Sequence, residues 1–378
     1  MILNTSTSKE INWVVVSAPT PWSDIPRMRH QVTRALAKHY RVLYVYWPYE
    51  WRRKHRSRFA QVEPNIAVWQ AGNLLTPPER LAAIAPLLNM PERIFLKRQI
   101  RRFLRKTKIF PVGVVNFDYR HHWIQDNALF PRSIYICNDD FPGLARRAGK
   151  VFLAEHKARQ MRDSARSADA CLATSEHIAT LLGARHKTTL FPPGHDLIVP
   201  QSYRTTHERT SQRLKVGYMG SIDTRINVQW IQHSAMQSDI EWHMIGPVSP
   251  DLLGALASSN IHFHKPVTGP ALLNWMQGMD VLTIPFDLSA DLSPAFAVPN
   301  KTYFYLAAGK PIVVPDLPGF CELGEGIVYR AESAEGFVLK IRQACSEDNE
   351  TRVQQRLRIA SENTWEVRIK ELCRLLEP

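Results

Sequence analysis

The sequence predicts an α/β protein made of two doubly wound parallel-sheet units in tandem, and three observations carry that expectation. From Trp13 onward, short β-branched runs alternate with stretches of helical spacing, the pattern of parallel strands joined by crossover helices. The alternation runs twice, and between the two series residues 197–212 (LIVPQSYRTTHERTSQ) are polar and without a period, as a linker is. The length of 378 residues also exceeds one core, because single cores stop growing near about 250 residues.

In the first series, strands are expected at VVVSA (14–18), VLYVYW (42–47), IAVWQ (66–70), VGVVNF (112–117), SIYIC (133–137), ACLAT (170–174) and TTLFP (188–192). Helical spacing marks residues 25–39 and 155–167 between them. In the second, strands are expected at 214–220, 240–246, 261–265, 280–286, 311–316 and 326–330. The last stretch, TWEVRIKELCRLLE (364–377), carries Trp365, Val367, Ile369, Leu372, Leu375 and Leu376 at roughly amphipathic helical spacing and must pack on something; the first unit is the candidate. The division is therefore a first domain over 1–196, a linker over 197–212, a second domain over 213–362 and a returning helix over 363–378. Open sheets of this kind bind ligands beyond the carboxyl ends of their strands, and two in tandem leave a cleft, so a cleft enzyme is expected.

A content of 44% hydrophobic and 22% charged residues is that of a globular protein and excludes disordered and fibrous classes. The longest apolar runs, 13–18 and 281–286, fall far short of the ~20 residues that a membrane-spanning helix needs. The first ten residues are polar and do not read as an export signal. Five scattered cysteines (Cys137, Cys171, Cys321, Cys345, Cys373) without a C-x-x-C pair fit a reducing cytosol better than a patterned zinc site, so a cytoplasmic location is expected.

The net charge of +13 is unevenly spread. Residues 1–200 hold 31 Lys/Arg against 15 Asp/Glu, a balance of +16, while residues 201–378 hold 17 against 20, a balance of −3. The densest basic stretches are WRRKHRSRF (51–59) and KRQIRRFLRKTK (97–108), the second preceded by the mostly apolar 81–88. Leu, Ile and Phe interleaved with Arg and Lys point to an amphipathic helix on anionic lipid, that is, peripheral attachment at the inner face of a membrane. The same charges attract nucleic acid, but no nucleic-acid-binding module occurs in the chain and that partner is not expected. A solvated basic face is the plain alternative.

The strongest local signal is PNKTYFYLAAGKPIVVP (299–315). A lysine opens a helix, small residues close it, and a β-branched strand follows at once. Gly309 fits the helix C-terminus, where a positive φ is wanted. Lys301 at the N-terminal end opposes the helix dipole, so local helix preference does not account for it; a diphosphate settling there does. After the first strand of the second series, Gly220 allows close backbone approach and Arg225 can fork onto phosphate oxygens. The same loop also reads as a plain βα turn with a solvated arginine.

The 299–315 stretch resembles the donor-site motif of GT-B glycosyltransferases, P-x-K-x-x-E-Y-L-A-x-G-K-P, matching at Pro299, Lys301, Tyr305, Leu306, Ala307, Gly309, Lys310 and Pro311. GYMGSIDTRINVQWI (217–231), MIGPV (244–248) and TIPF (283–286) resemble further donor-domain segments, CLATSEHI (171–178) and LFPPGHD (190–196) the closing strands of the acceptor domain, and TWEVRI (364–369) the terminal crossing helix. Among relatives, the enzymes of bacterial exopolysaccharide and teichuronic-acid assembly are the nearest in pattern. The resemblance implies two Rossmann-like domains facing a cleft, with the first binding the acceptor and the second the nucleotide sugar. It implies a metal-independent, hexosyltransferase-type reaction from a UDP- or GDP-sugar to a saccharide acceptor, lipid-linked, in surface polysaccharide assembly. The nucleotide sugar is a co-substrate, and no other cofactor is expected. Donor contacts are implied at Gly220, Ser221, Arg225, Gly246, Pro247, Pro285, Lys301, Phe304 and Tyr305. The pattern departs from the family at Phe304, where the motif has a ribose-binding Glu, and at Phe296, where retaining members carry a second Glu. A non-catalytic scaffold of the same fold is one alternative that this departure raises, and a sugar-nucleotide epimerase is another. No strand-end D-x-D marks a metal site.

A base for an inverting reaction is sought in the first domain: Asp118 in NFDYRHHW, or Asp139 and Asp140 in YICNDDF, where adjacent carboxylates raise one pKa. Asn-Asp-Asp equally reads as a turn or helix cap. His30 and Glu155 are reserves, Arg27 and Arg29 with His30 can meet an acceptor phosphate, and His121-His122 reads as surface polarity rather than a ligand pair.

Overall fold

Val14, Val15 and Val16 are buried without remainder, because the strand that holds them is covered on both faces, as inner strands of parallel sheets are. A computed structural model describes residues 12–24, 26–48, 55–73, 79–84, 89–198, 212–288, 298–316, 320, 323–324 and 326–377. Its contacts divide the chain into one unit of Met1–Phe191 with Arg368–Pro378 and a second of Pro192–Val367.

The first unit runs β1 (Trp13–Ala18), α1 (Met28–Leu36), β2 (Arg41–Tyr46), β3 (Arg58–Glu63), β4 (Ile66–Gln70), α2 (Glu79–Ile84), α3 (Met90–Thr107), β5 (Pro111–Asn116), a 3-10 segment over Tyr119–Gln125, β6 (Ser133–Cys137), α4 (Phe141–Arg147), α5 (Val151–Ser167), β7 (Ala170–Ala173), α6 (Glu176–Leu182) and β8 (Thr188–Leu190). Its sheet has the order β3-β4-β2-β1-β5-β6-β7-β8. All neighbours are parallel except β3, which runs antiparallel on the edge of β4.

The second unit runs β9 (Leu214–Met219), α7 (Val228–Ala235), β10 (Ile240–Ile245), α8 (Pro250–Ala255), β11 (Ile261–His264), α9 (Gly269–Gln277), β12 (Val281–Thr283), α10 (Lys301–Ala307), β13 (Ile312–Pro315), β14 (Val328–Ala331), α11 (Ala334–Ser346), α12 (Glu350–Glu362) and the start of α13 (Trp365–Leu376). Its six strands, in the order β11-β10-β9-β12-β13-β14, are all parallel. Every expected strand is present, and two parallel-sheet units in tandem are what the alternation predicts. From Arg368 onward α13 belongs to the first unit, where the Leu376 side chain lies against Gly113 of β5.

The basic stretches fare differently. Leu96, Ile100 and Leu104 recur every fourth residue along α3 and are buried beside Trp47 and Trp69, leaving Arg98, Arg101, Arg102 and Arg105 exposed: an amphipathic helix, as the spacing predicts. Of the other stretch, residues 51–54 lie outside the described residues, and Arg58 and Phe59 sit in the exposed edge strand β3 rather than in a helix. A charged, exposed edge strand discourages further strand pairing. Among the described residues no helix is long and apolar enough to cross a membrane.

Candidate functional site

In the second unit, the loops after β9 and β10 close on each other. Gly220 and Gly246 both have positive φ (135° and 143°), and a Cβ on Gly246 would stand 2.1 Å from the Gly220 carbonyl oxygen. No side chain fits there, so backbone meets backbone at the carboxyl ends of the two strands. Gly220 N–H donates to Ile245 O (2.9 Å), and Ile222 N–H to Pro247 O (2.9 Å). Lys301, the first residue of α10, brings its ammonium to this same point: a Cβ on Gly220 would lie 2.7 Å from Lys301 Nζ. The ammonium sits 4.0 Å from the Tyr218 ring centroid and 5.2 Å from that of Phe286, so aromatic faces line its approach. Tyr305, one helical turn on, accepts the Met219 N–H on its hydroxyl (2.8 Å) and ties α10 to the end of β9. Gly309 closes the helix with φ 71°.

Burial, and then repulsion from Arg225, pushes the Lys301 pKa down to about 7, with Asp223 partly offsetting. Among the described residues no carboxylate lies within 4.0 Å of it. Arg225 is placed differently from expectation. Its guanidinium forks onto Asp223 (Nε–Oδ1 2.8 Å, NH2–Oδ2 2.7 Å), so it enters the loop as half of an ion pair rather than as an open anion clamp. Asp223 itself gave no sequence signal, because a carboxylate two residues before an arginine is commonplace. Ser221 gives its carbonyl to the Tyr218 hydroxyl (2.9 Å), and Pro285 gives its own to Asn227 N–H (2.7 Å). Phe304 is 93% buried, edge-on to the His195 ring, so it packs into the core; Phe296 lies outside the described residues.

In the first unit, a cavity of about 390 Å³ opens at the carboxyl ends of β1, β5 and β6. Asp139 lines it, together with Arg27, Arg29, Tyr119, Arg120 and Lys157. Asp118 also lines it, yet its side chain is fully buried and held by Arg120 Nε and NH2 (2.8 and 2.7 Å). Burial opposes its ionisation, but Arg120 and His121 outweigh that and bring its pKa to about 2. So weak a base does not take a hydroxyl proton near neutrality, and the structure gives Asp118 an anchoring part instead. Asp140 is the N-cap of α4: its carboxylate accepts the Gly143 N–H (2.7 Å) and lies 3.1 Å from His177 Nε2. That leaves Asp139, partly exposed, as the carboxylate of the three with access. His30 is buried, its pKa lowered to about 4 by burial and then Arg29, and its Nδ1 accepts the Arg27 N–H (3.1 Å), which makes it a local brace. Glu155 is exposed and pairs with Arg146. His121 is buried rather than superficial: Trp123 Nε1 donates to its Nδ1 (3.2 Å). Sequence reasoning missed Lys157 and Glu79, an ion pair on the cavity wall joined by the Tyr119 hydroxyl. They stand 78 residues apart, and only the fold brings them together. Among the described residues no three His, Cys, Asp or Glu side chains are grouped to hold a metal ion.

Residues 213–347, from the start of β9 through α11, match the family described as Glycosyl transferases group 1. Solved structures match both units. The UDP-forming α,α-trehalose-phosphate synthase of Burkholderia xenovorans, in complex with glucose-6-phosphate, superposes with a TM-score of 0.68 at 10% identity, over 97% of this chain and 100% of that one. Anabaena HepE in complex with UDP gives 0.61 at 14% identity, over 97% and 99%. The chain has the GT-B fold, and within its second unit the 213–347 stretch is similar to group 1 glycosyl transferases. A Bacillus subtilis glycosyltransferase assigned to teichuronic acid biosynthesis is 26% identical over 172 residues, a stretch that spans 42% of this chain and 42% of that relative. In this GT-B chain the Lys301–Gly220 contact falls inside the matched domain, and the Asp139 cavity falls in the first unit, outside it.

Proposed function

We propose that the chain is a hexosyltransferase that moves a sugar from a nucleoside-diphosphate donor, a UDP- or GDP-sugar, to a saccharide acceptor. One observation carries this reading: the Lys301 ammonium packs against the bare backbone of Gly220 within the stretch similar to group 1 glycosyl transferases. A diphosphate bound there neutralises a charge that its surroundings disfavour, and the departing nucleoside diphosphate is stabilised by Lys301 without a metal ion. Arg225 joins it by exchanging Asp223 for phosphate oxygens. In the first unit, Asp139 receives the acceptor hydroxyl proton as the sugar carbon is attacked, an inverting displacement.

The acceptor is taken to be lipid-linked and the enzyme to work at the inner face of a membrane, in surface polysaccharide assembly. The teichuronic-acid relative supports the role in surface polysaccharide assembly. The exposed arginines of α3, with Leu81, Ile84, Met90 and Ile94 exposed nearby in sequence, support the membrane location: a basic, apolar-studded surface adheres to anionic lipid. Phe304 favours one rival, a scaffold of the same fold that binds no nucleotide, since the ribose carboxylate of the motif is missing. A thermal-shift panel of UDP, GDP, ADP and CDP separates the two, because a ligand of the folded state raises the melting temperature. A rise with UDP or GDP that is lost in Lys301→Met is expected; a flat panel means that the scaffold is the better description.

A further inference from the structure

We propose that a second cavity of the first unit is a carbohydrate subsite, which takes a neutral, hydroxyl-rich sugar unit of the acceptor beyond the one that reacts. The inference rests on the glycosyltransferase reading above and adds that the acceptor is longer than one sugar. The cavity measures about 290 Å³, close to the lower end of the roughly 300–1,000 Å³ typical of small-ligand pockets. It lies among the start of α3, the 3-10 segment and α5.

Three features define the ligand class. On the lining residues, three buried polar atoms have no partner: His122 Nδ1, His156 Nε2 and Gln160 Oε1. Buried polar groups are rarely left so, and three on one cavity call for a ligand that both donates and accepts hydrogen bonds. Hydroxyl groups do both. Burial foremost lowers the pKa of both histidines, which keeps each ring neutral, one nitrogen donating and the other accepting. The charged lining residues cancel, with Arg93, Arg120 and Arg159 against Glu79, Glu92 and Asp163, so the wall favours neither an anion nor a cation. Trp123, Leu96 and Met90 add apolar and aromatic surface of the kind that the C–H face of a sugar ring covers.

The position links this cavity to the reaction. One stretch of chain borders both cavities: Phe117 to Arg120 line the Asp139 cavity, and Arg120 to Trp123 line this one. Arg120 and Glu79 are common to both walls. A saccharide with its terminal hydroxyl at Asp139 therefore has a place for a further unit along the same segment.

The test is saturation-transfer NMR on the full chain with chitotriose and maltotriose as neutral probes, glucuronic acid oligomers as acidic ones, and UDP and GDP as internal references. Neutral trisaccharides are expected to bind. His156→Leu and, at the half-buried position, Gln160→Leu are each expected to weaken that binding at least tenfold, with nucleotide binding intact and the melting temperature unchanged or higher, since an unpartnered polar atom is removed. Gln160→Leu keeps the test open if His156→Leu fails to fold. Nucleotide binding without any neutral trisaccharide overturns the subsite alone, as does equal trisaccharide binding by the variants or a preference for the acidic probes. If no nucleotide binds either, the glycosyltransferase reading itself falls and takes the subsite with it.

Discussion

With the diphosphate against Lys301 as proposed, donor binding depends on pH with a sign and size that follow from the surroundings of that lysine. In the free protein its pKa is about 7, lowered by burial and then by Arg225. A bound diphosphate pulls that pKa back up, because an anion against the ammonium favours the charged form. Between the two values the complex holds a proton that the free protein lacks, so binding takes up a proton and affinity falls as pH rises above about 7. At about pH 8 only about one-tenth of the free protein carries the charge, so affinity falls about tenfold from its low-pH limit, or ~1.4 kcal/mol. Calorimetric titration suits the test, with the nucleotide sugar that the thermal-shift panel selects, whose diphosphate diester does not titrate near neutrality. It is run between about pH 6 and about pH 8 in two buffers of different ionisation heat, so that the buffer dependence counts the protons taken up. Wild type should lose about tenfold and take up close to one proton at the upper end; Lys301→Arg, charged throughout, should show a flat profile. A flat wild-type profile with no buffer-dependent heat refutes the placement of Lys301 against the diphosphate.

The same depressed pKa bears on folding. Between about 7 and the ordinary 10.5 the unfolded chain holds the Lys301 proton and the folded chain does not, so stability of the ligand-free protein rises with pH through that window. Lys301→Met should accordingly raise ligand-free stability at neutral pH by roughly 0.5–2 kcal/mol in denaturant melts while abolishing turnover; a loss of stability contradicts the burial argument. Gly246→Ala forces a Cβ to within 2.1 Å of Gly220 O at a φ of 143°, so it should cost several times the ~1 kcal/mol of an ordinary helix glycine change and remove donor binding. Unchanged melting in that variant shows that the two loops do not close. Asp139→Asn should lower kcat at least about a hundredfold with donor affinity kept, as loss of a general base does, and near-normal kcat moves the base elsewhere. Replacing Arg98, Arg101 and Arg105 on α3 by Glu should abolish recovery with anionic liposomes in flotation; equal recovery of wild type on neutral and anionic liposomes removes the membrane from the proposal.

How much could be read in advance depended on whether a feature was local. Strand runs such as VVVSA, and the small-residue close of α10 at Gly309, are set by neighbours in sequence, and each appears where its pattern places it. The position of Lys301 was legible for the same reason: a lysine that opposes the dipole of its own helix needs a reason from outside the helix. What could not be read was pairing over distance. Arg225 looked like an anion clamp because the carboxylate that occupies it, Asp223, is indistinguishable in sequence from any loop acid. The three candidate aspartates, Asp118, Asp139 and Asp140, looked alike, yet one is clamped by Arg120, one caps α4 and one faces a cavity, and these fates are decided by Arg120, the α4 backbone and the ends of three strands. His121-His122 misled most. A histidine pair beside a tryptophan reads as surface polarity until the 3-10 segment is seen to bury His121 against Asp118 and leave His122 on a cavity wall with an unpartnered nitrogen. Charged and polar residues take their roles from the third dimension, whereas apolar periodicity already encodes it, so the fold was open to sequence reasoning and the acceptor side of the chemistry was not.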